Sequence, residues 1–174
     1  MSRLFPHPPY AEDQPLPRTF MTVHILTRAI MSGSLLATVI VGAGQLIPSR
    51  RLSPPQFTSR LLHASCTTTL VTMGLSEAFM LFYMRDREEI EWQDRSWRLL
   101  ESETQRENND WIYVGMAVGP AMVLATKGTA LGLAATLGAS GLGANVGVMG
   151  YLAWKFGIRR LFESKEAEKP FKSR

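Results

Sequence analysis

The sequence predicts an all-α, polytopic membrane protein with four transmembrane helices and a charged extramembrane helix between the second and the third. Segregation of charge is the first reason. No charged residue lies between Ala29 and Ile47, only Glu77 carries a permanent charge between Leu61 and Met84, and only Lys127 does so between Trp111 and Trp154. A bilayer core of about 30 Å needs roughly 20 apolar residues of helix, and these stretches have that length. The near-zero mean hydropathy therefore averages apolar runs with charged connectors. A second reason is the recurrence of glycine and other small residues at helical spacing in the last third, a pattern suited to close helix contact in lipid.

Composition narrows the function classes. Basic residues outnumber acidic ones, 19 to 15, in 174 residues, yet they flank hydrophobic spans instead of lining an aromatic-studded groove, so no nucleic-acid partner is expected. Cys66 is the single cysteine, which excludes an intramolecular disulfide.

Residues 1–19 form a Pro-rich arm, with Pro6, Pro8, Pro9, Pro15 and Pro17 favouring extended backbone. The arm lacks the apolar run of a secretory signal, and Glu12 and Asp13 make it unlike an acid-free mitochondrial presequence, so targeting information is expected to be internal. The first helical pair spans 20–84. Its first helix runs from Phe20 to Ile47, with His24 and Arg28 near the headgroups, and its second span covers Leu61 to Met84. Between them Arg50, Arg51, Pro54 and Pro55 predict a basic, rigid turn. The charged segment 85–110 contains neither glycine nor proline and is expected to continue the second helix out of the membrane. It holds five arginines against nine acids, with Arg87–Glu91 and Asp94–Arg98 at i,i+4 and with Ile90, Trp97 and Leu100 on one face.

The Gly-rich hairpin, 111–155, is too long for one span and fits two. Trp111 and Trp154 suit the interfacial aromatic belt, and Lys127 can snorkel at a turn placed over Thr126–Thr129. This predicts a short third helix to Thr126 and a long fourth from Ala130 to Lys155; a break at 138–143 is the alternative. Residues 156–174 form a basic tail. With four spans, both termini and the charged helix share one side.

The candidate site residues are packing residues. Gly132, Thr136, Ala139, Gly143, Gly147 and Gly150 recur at spacings of four and three, one stripe of small side chains on the fourth helix. Gly115 and Gly119 supply a matching pair on the third, and Ala29, Gly33, Ala37 and Gly44 repeat the device on the first. On the second helix Ser65, Thr69, Thr72 and Ser76 make a polar stripe, with His63, Cys66, Gly74 and Glu77 on the other side, which predicts a helix surrounded by protein. Glu77, the one acid inside a span, lies about two turns from the charged end at Arg85 and is expected to sit shallow or to pair with a neighbouring subunit's base; a proton or ion role is the alternative. Asn145 is expected to make an interhelical hydrogen bond. The glycine run 138–143 has no strand before it and belongs to helix packing. No HExxH, CxxC, GxSxG or phosphate-binding loop occurs, so no enzyme, metal or redox cofactor is expected; a bound phospholipid such as cardiolipin is compatible with the spans.

The opening His7-Pro8-Pro9-Tyr10-Ala11-Glu12-Asp13-Gln14-Pro15-Leu16-Pro17-Arg18-Thr19-Phe20, running into a His/Arg-edged first helix, resembles a family of small fungal membrane proteins. Some members of that family are accessory subunits of mitochondrial NADH:ubiquinone oxidoreductase, complex I. The glycine-ridged four-helix plan is also similar in architecture to Tim17/Tim22-type proteins, which include import-channel subunits. The resemblance implies a multi-pass protein of the mitochondrial inner membrane, in contact with other membrane subunits of a respiratory complex and supporting its assembly. An import-translocase or small-channel component, and an assembly factor, are the alternatives.

Overall fold

A computed structural model describes residues 5–159, in which every regular element is helical. Most of the expected basic tail lies outside the described residues. The first helix, α1 (Pro17–Gly44), starts with Pro17 in its first turn, where a missing N–H costs nothing because that donor has no intrahelical partner. α2 (Pro54–Met84) starts the same way. Ser53 caps it, the Gln56 side chain accepts the Ser53 N–H at 3.2 Å, and Pro54 and Pro55 fill the first two helical positions. The rigid turn expected from these prolines is instead the opening of the second helix: proline is costly in a helix interior but not in its first turn.

The charged segment is not one continuous helix. α2 ends at Met84, and α3 (Glu89–Glu101) begins behind a Glu88–Glu91 capping box. Ser102, at ψ 103°, then closes α3 and caps α4 (Glu103–Lys127) by accepting the Gln105 N–H. Side-chain caps thus supply the breaks that glycine and proline do not. α4 runs without interruption through Trp111, so the third helix starts well before the expected boundary. Gly128 (φ 56°) and Gly132 (φ 76°) reverse the chain in the left-handed backbone region that favours glycine. α5 (Gly132–Leu152) follows and continues as a π turn, Ala153–Ile158.

α1 and α2 pair antiparallel, as do α4 and α5, and α5 also packs against both helices of the first pair. α3 crosses the start of α1. Its buried face is Trp92, Ser96 and Leu100, with Trp92 resting on Met21, Met80 and Met84. Ile90, expected on that face, is exposed, and Trp97 turns toward the arm. Arg87–Glu91 and Asp94–Arg98 are formed at 3.2 and 3.0 Å on the outer side.

Two stretches, Pro17–Gly44 and Gly132–Ile158, are long and apolar enough to cross a membrane. α2 is less apolar because it carries His63, Glu77 and a run of hydroxyls, and α4 because its first turns are charged. All four long helices nevertheless turn large apolar side chains outward, among them Leu36, Ile40, Phe79, Leu81, Val114, Met122, Leu137 and Val146. α2 is therefore not enclosed by protein on both sides: Leu70, Val71 and Leu75 form an exposed apolar flank.

Candidate functional site

The best-defined assembly of predicted site residues is the set of interhelical seams that converge on α5. Between α4 and α5 the backbones nearly touch. A Cβ added at Gly115 would strike the carbonyl of Gly143, one at Gly119 the carbonyl of Ala139, and one at Gly147 the carbonyl of Trp111. Gly150 lies under the Trp111 ring, which a Cβ would approach to 3.1 Å. At Gly115, Gly119, Gly143 and Gly147 not even a methyl group fits against the facing main chain. Its register follows from the i, i+4 spacing shared by the two antiparallel helices.

The stripe of six is shorter than the sequence spacing implied. Ala139, Gly143, Gly147 and Gly150 form the seam, whereas Gly132 is exposed at the start of α5 and Thr136 hydrogen-bonds back to the Gly132 carbonyl at 3.1 Å. Gly132 is required by its positive φ instead. Gly44 also leaves the packing set, since nothing lies within 4 Å of where its Cβ would be. Gly33 stays in it, pressed against the Thr69 backbone, and Ala29 and Ala37 are buried beside it.

α5 presents a second small face toward the first pair. Gly138 abuts the Leu62 carbonyl of α2, and Gly141 abuts Ser34 of α1. Hydroxyls lock these contacts. Ser65 donates to the Gly138 carbonyl at 2.9 Å and Ser34 to the Gly141 carbonyl at 2.8 Å. The Asn145 amide donates to Ser34 Oγ at 2.7 Å and to the Met31 carbonyl at 3.2 Å, joining α5 to α1. Along α1–α2, Thr68 and Thr72 donate to the carbonyls of Gly33 and Ala29, and Thr69 reaches that of Ile30 at 3.4 Å. Ser76, at the end of the predicted polar stripe, lines a cleft between α1 and α2 and makes none of these bonds. Ser34, Thr68 and Ser140 were not separable in the sequence from hydroxyls that bond within their own helix.

Ser140 has a distinct task. Pro120 sits inside α4, where it has no N–H to give the carbonyl of Met116. The Ser140 hydroxyl of α5 donates to that carbonyl at 3.0 Å. The signal for it was Pro120: an interior proline in an apolar helix needs a donor from a neighbour.

At the opposite end from the Gly128 turn, polar contacts tie the elements together. The Arg28 guanidinium donates to Gln105 at 2.6 Å and to Asn109 at 2.9 Å, and Thr27 bonds the Tyr113 hydroxyl at 3.0 Å. The arm, with one 3₁₀ turn at Ala11–Asp13, folds over α3. Trp97 Nε1 donates to the Pro8 carbonyl at 2.9 Å, Gln93 donates to that of Glu12, and the His7 ring stacks on Trp97. Glu77 has no base beside it among the described residues. Thr22 donates to its Oε1 at 3.1 Å, and Oε2 is buried without a partner. His63 is exposed, with Nδ1 2.8 Å from the Ser59 carbonyl. Trp111, Lys127 and Trp154 are all at the surface.

No known protein family, curated protein or solved structure matches this chain. Among the described residues no cluster of three or more His, Cys, Asp or Glu is placed to hold a metal.

Proposed function

We propose that the chain is a multi-pass protein of the mitochondrial inner membrane, a non-catalytic accessory subunit that supports assembly and stability of the membrane arm of respiratory complex I. In this reading α1, α2, the apolar part of α4 and α5 cross the bilayer. One observation carries the membrane part: large apolar side chains point outward along all four helices, while buried apolar side chains such as Met21, Leu62, Met84 and Ile112 share the interior with small and hydroxyl residues, among them Ala29, Gly33, Ser34, Ser65, Gly138, Gly141 and Gly147. A water-soluble bundle buries its large apolar residues. In lipid there is no hydrophobic drive between helices, and close backbone approach with hydroxyl–carbonyl bonds takes its place.

The complex I part draws on the resemblance of residues 7–20. It is supported by the way those residues are used, as a cap locked onto α3 by the Trp97–Pro8 bond and by the Arg18–Glu89 pair, with Asp86 and Arg98 on the exposed surface beside it. An import channel has less support, because the hydroxyls of the polar stripe engage backbone carbonyls and the glycine seams close the space between helices. Native electrophoresis of solubilised mitochondria tests the proposal. Comigration with NADH dehydrogenase activity is the expected result, and a stable complex lacking every complex I subunit refutes it. Association only with incomplete complexes identifies an assembly factor.

A further inference from the structure

The end of the molecule that carries the α1–α2 loop is basic without compensation. Arg50, Arg51 and Arg60 surround a cleft of about 550 Å³ between the end of α1 and the start of α2. From Gln14 to Ser76 the chain contains no carboxylate, and there is none from Trp111 to Arg159, which covers the neighbouring α4–α5 turn and Lys127. Among the described residues no carboxylate pairs with any of these cations. The loop is nonetheless ordered by its own bonds. Gln45 Oε1 accepts the Leu52 N–H at 3.1 Å, and Arg51 Nε donates to the Gln45 carbonyl at 3.3 Å. Ile40, Val41 and Gly44 of α1 supply an apolar part of the lining, and nothing lies within 4 Å of where a Gly44 Cβ would be.

A cleft lined both by three arginines and by an aliphatic stretch of α1 fits a negatively charged headgroup that carries a hydrocarbon chain. Guanidinium groups bind phosphate oxygens through paired N–H donors. We propose that this cleft binds an anionic phospholipid, with the phosphate held by Arg50, Arg51 and Arg60 and an acyl chain lying along Ile40, Val41 and Gly44. The inference rests on the membrane reading above. It also assigns Gly44 a role that helix packing does not: a large side chain there would fill the apolar part of the cleft.

The test is native mass spectrometry of the detergent-purified full chain, titrated with phosphatidylglycerol and, separately, with phosphatidylcholine. The wild type should retain phosphatidylglycerol selectively. Each basic residue near an anionic lipid contributes about a fivefold factor, so the combined Arg50→Gln, Arg51→Gln and Arg60→Gln variant should bind about a hundredfold more weakly. Gly44→Leu should also reduce retention with every charge in place, and Arg98→Gln, on α3, should not change it. Equal retention of the two lipids, or undiminished binding by the triple variant, overturns the cleft assignment. Inorganic phosphate raising the melting temperature as much as phosphatidylglycerol overturns the lipid as its source. Carbonate extraction of native membranes reports separately on the parent reading: release into the soluble fraction overturns both, whereas retention without lipid selectivity overturns only the cleft.

Discussion

Replacing Gly143 by alanine adds one methyl group at the tightest part of the α4–α5 seam. The new Cβ would overlap the carbonyl oxygen of Gly115, with the Gly119 backbone 3.2 Å away, so the obstacle is main chain and no rotamer change relieves it. The two helices must separate by about 1 Å, and a gap of that size forfeits a quarter to a half of the dispersion well of each contact it opens. Overpacking of this kind costs about 1–3 kcal/mol. Against that, alanine is favoured over glycine in a helix interior by about 1 kcal/mol. The net loss is therefore at most about 2 kcal/mol, up to roughly a 30-fold fall in the folded-to-unfolded ratio, and Gly143→Ala should fall about 1–3 kcal/mol below a clash-free glycine-to-alanine change. Gly74 is the control: it lies in the interior of α2 with nothing within 4 Å of its Cβ position, so Gly74→Ala keeps the propensity gain with no clash. Reversible unfolding in mixed micelles with added SDS, followed by tryptophan fluorescence, reads both. Trp111 packs on Gly147 and Gly150 and reports on this seam directly. Equal stability of Gly143→Ala and Gly74→Ala would refute the claim that α4 and α5 meet through their backbones.

Ser140→Ala leaves the Met116 carbonyl without its donor and should destabilise the fold by about 1 kcal/mol. In a Pro120→Ala background, where the helix can make its own bond to Met116, that penalty should shrink toward zero; a double-mutant cycle with no coupling would contradict the rescue. Asn145→Ala removes both bonds from α5 to α1 and should cost about 1–2 kcal/mol in the same micelle assay. Trp97→Ala removes the Nε1–Pro8 bond and the His7 stack, so residues 5–16 should become susceptible to limited proteolysis while the helical circular dichroism is retained. Continued protection of the arm would show that Trp97 does not hold it.

Helix content and the Gly128 turn were legible because charge segregation and glycine spacing act locally. The interruptions at Glu88 and Ser102 were not, since each is a capping event that depends on side-chain geometry and neither Glu nor Ser is excluded from a helix interior. Period alone placed Gly143 and Gly147 on a packing face, but it treated Gly44 and Gly132 the same way. A helix repeat says which residues share a face and not where the neighbouring helix ends. The division of the α5 surface among three neighbours, with Gly138 toward α2, Gly141 toward α1 and Gly143 toward α4, follows from the four-helix contact and has no counterpart in a one-dimensional pattern. Trp97 illustrates the same limit. Its place on the apolar side of α3 gave no sign that a proline carbonyl 89 positions earlier in the chain would cover its indole nitrogen.

In the membrane reading proposed above, the bond between Ser140 and Met116 also bears on the order in which the chain enters the bilayer. On its own in hydrocarbon, α4 would hold an acceptor that its proline cannot satisfy, and water would not be there to replace it. With α5 alongside, that acceptor is filled, and the two glycine-bearing surfaces close at the same moment. The smallest insertion unit in this half of the protein that is complete in hydrogen bonds is therefore the hairpin. In that reading α4 and α5 should leave a translocase together, and not one after the other.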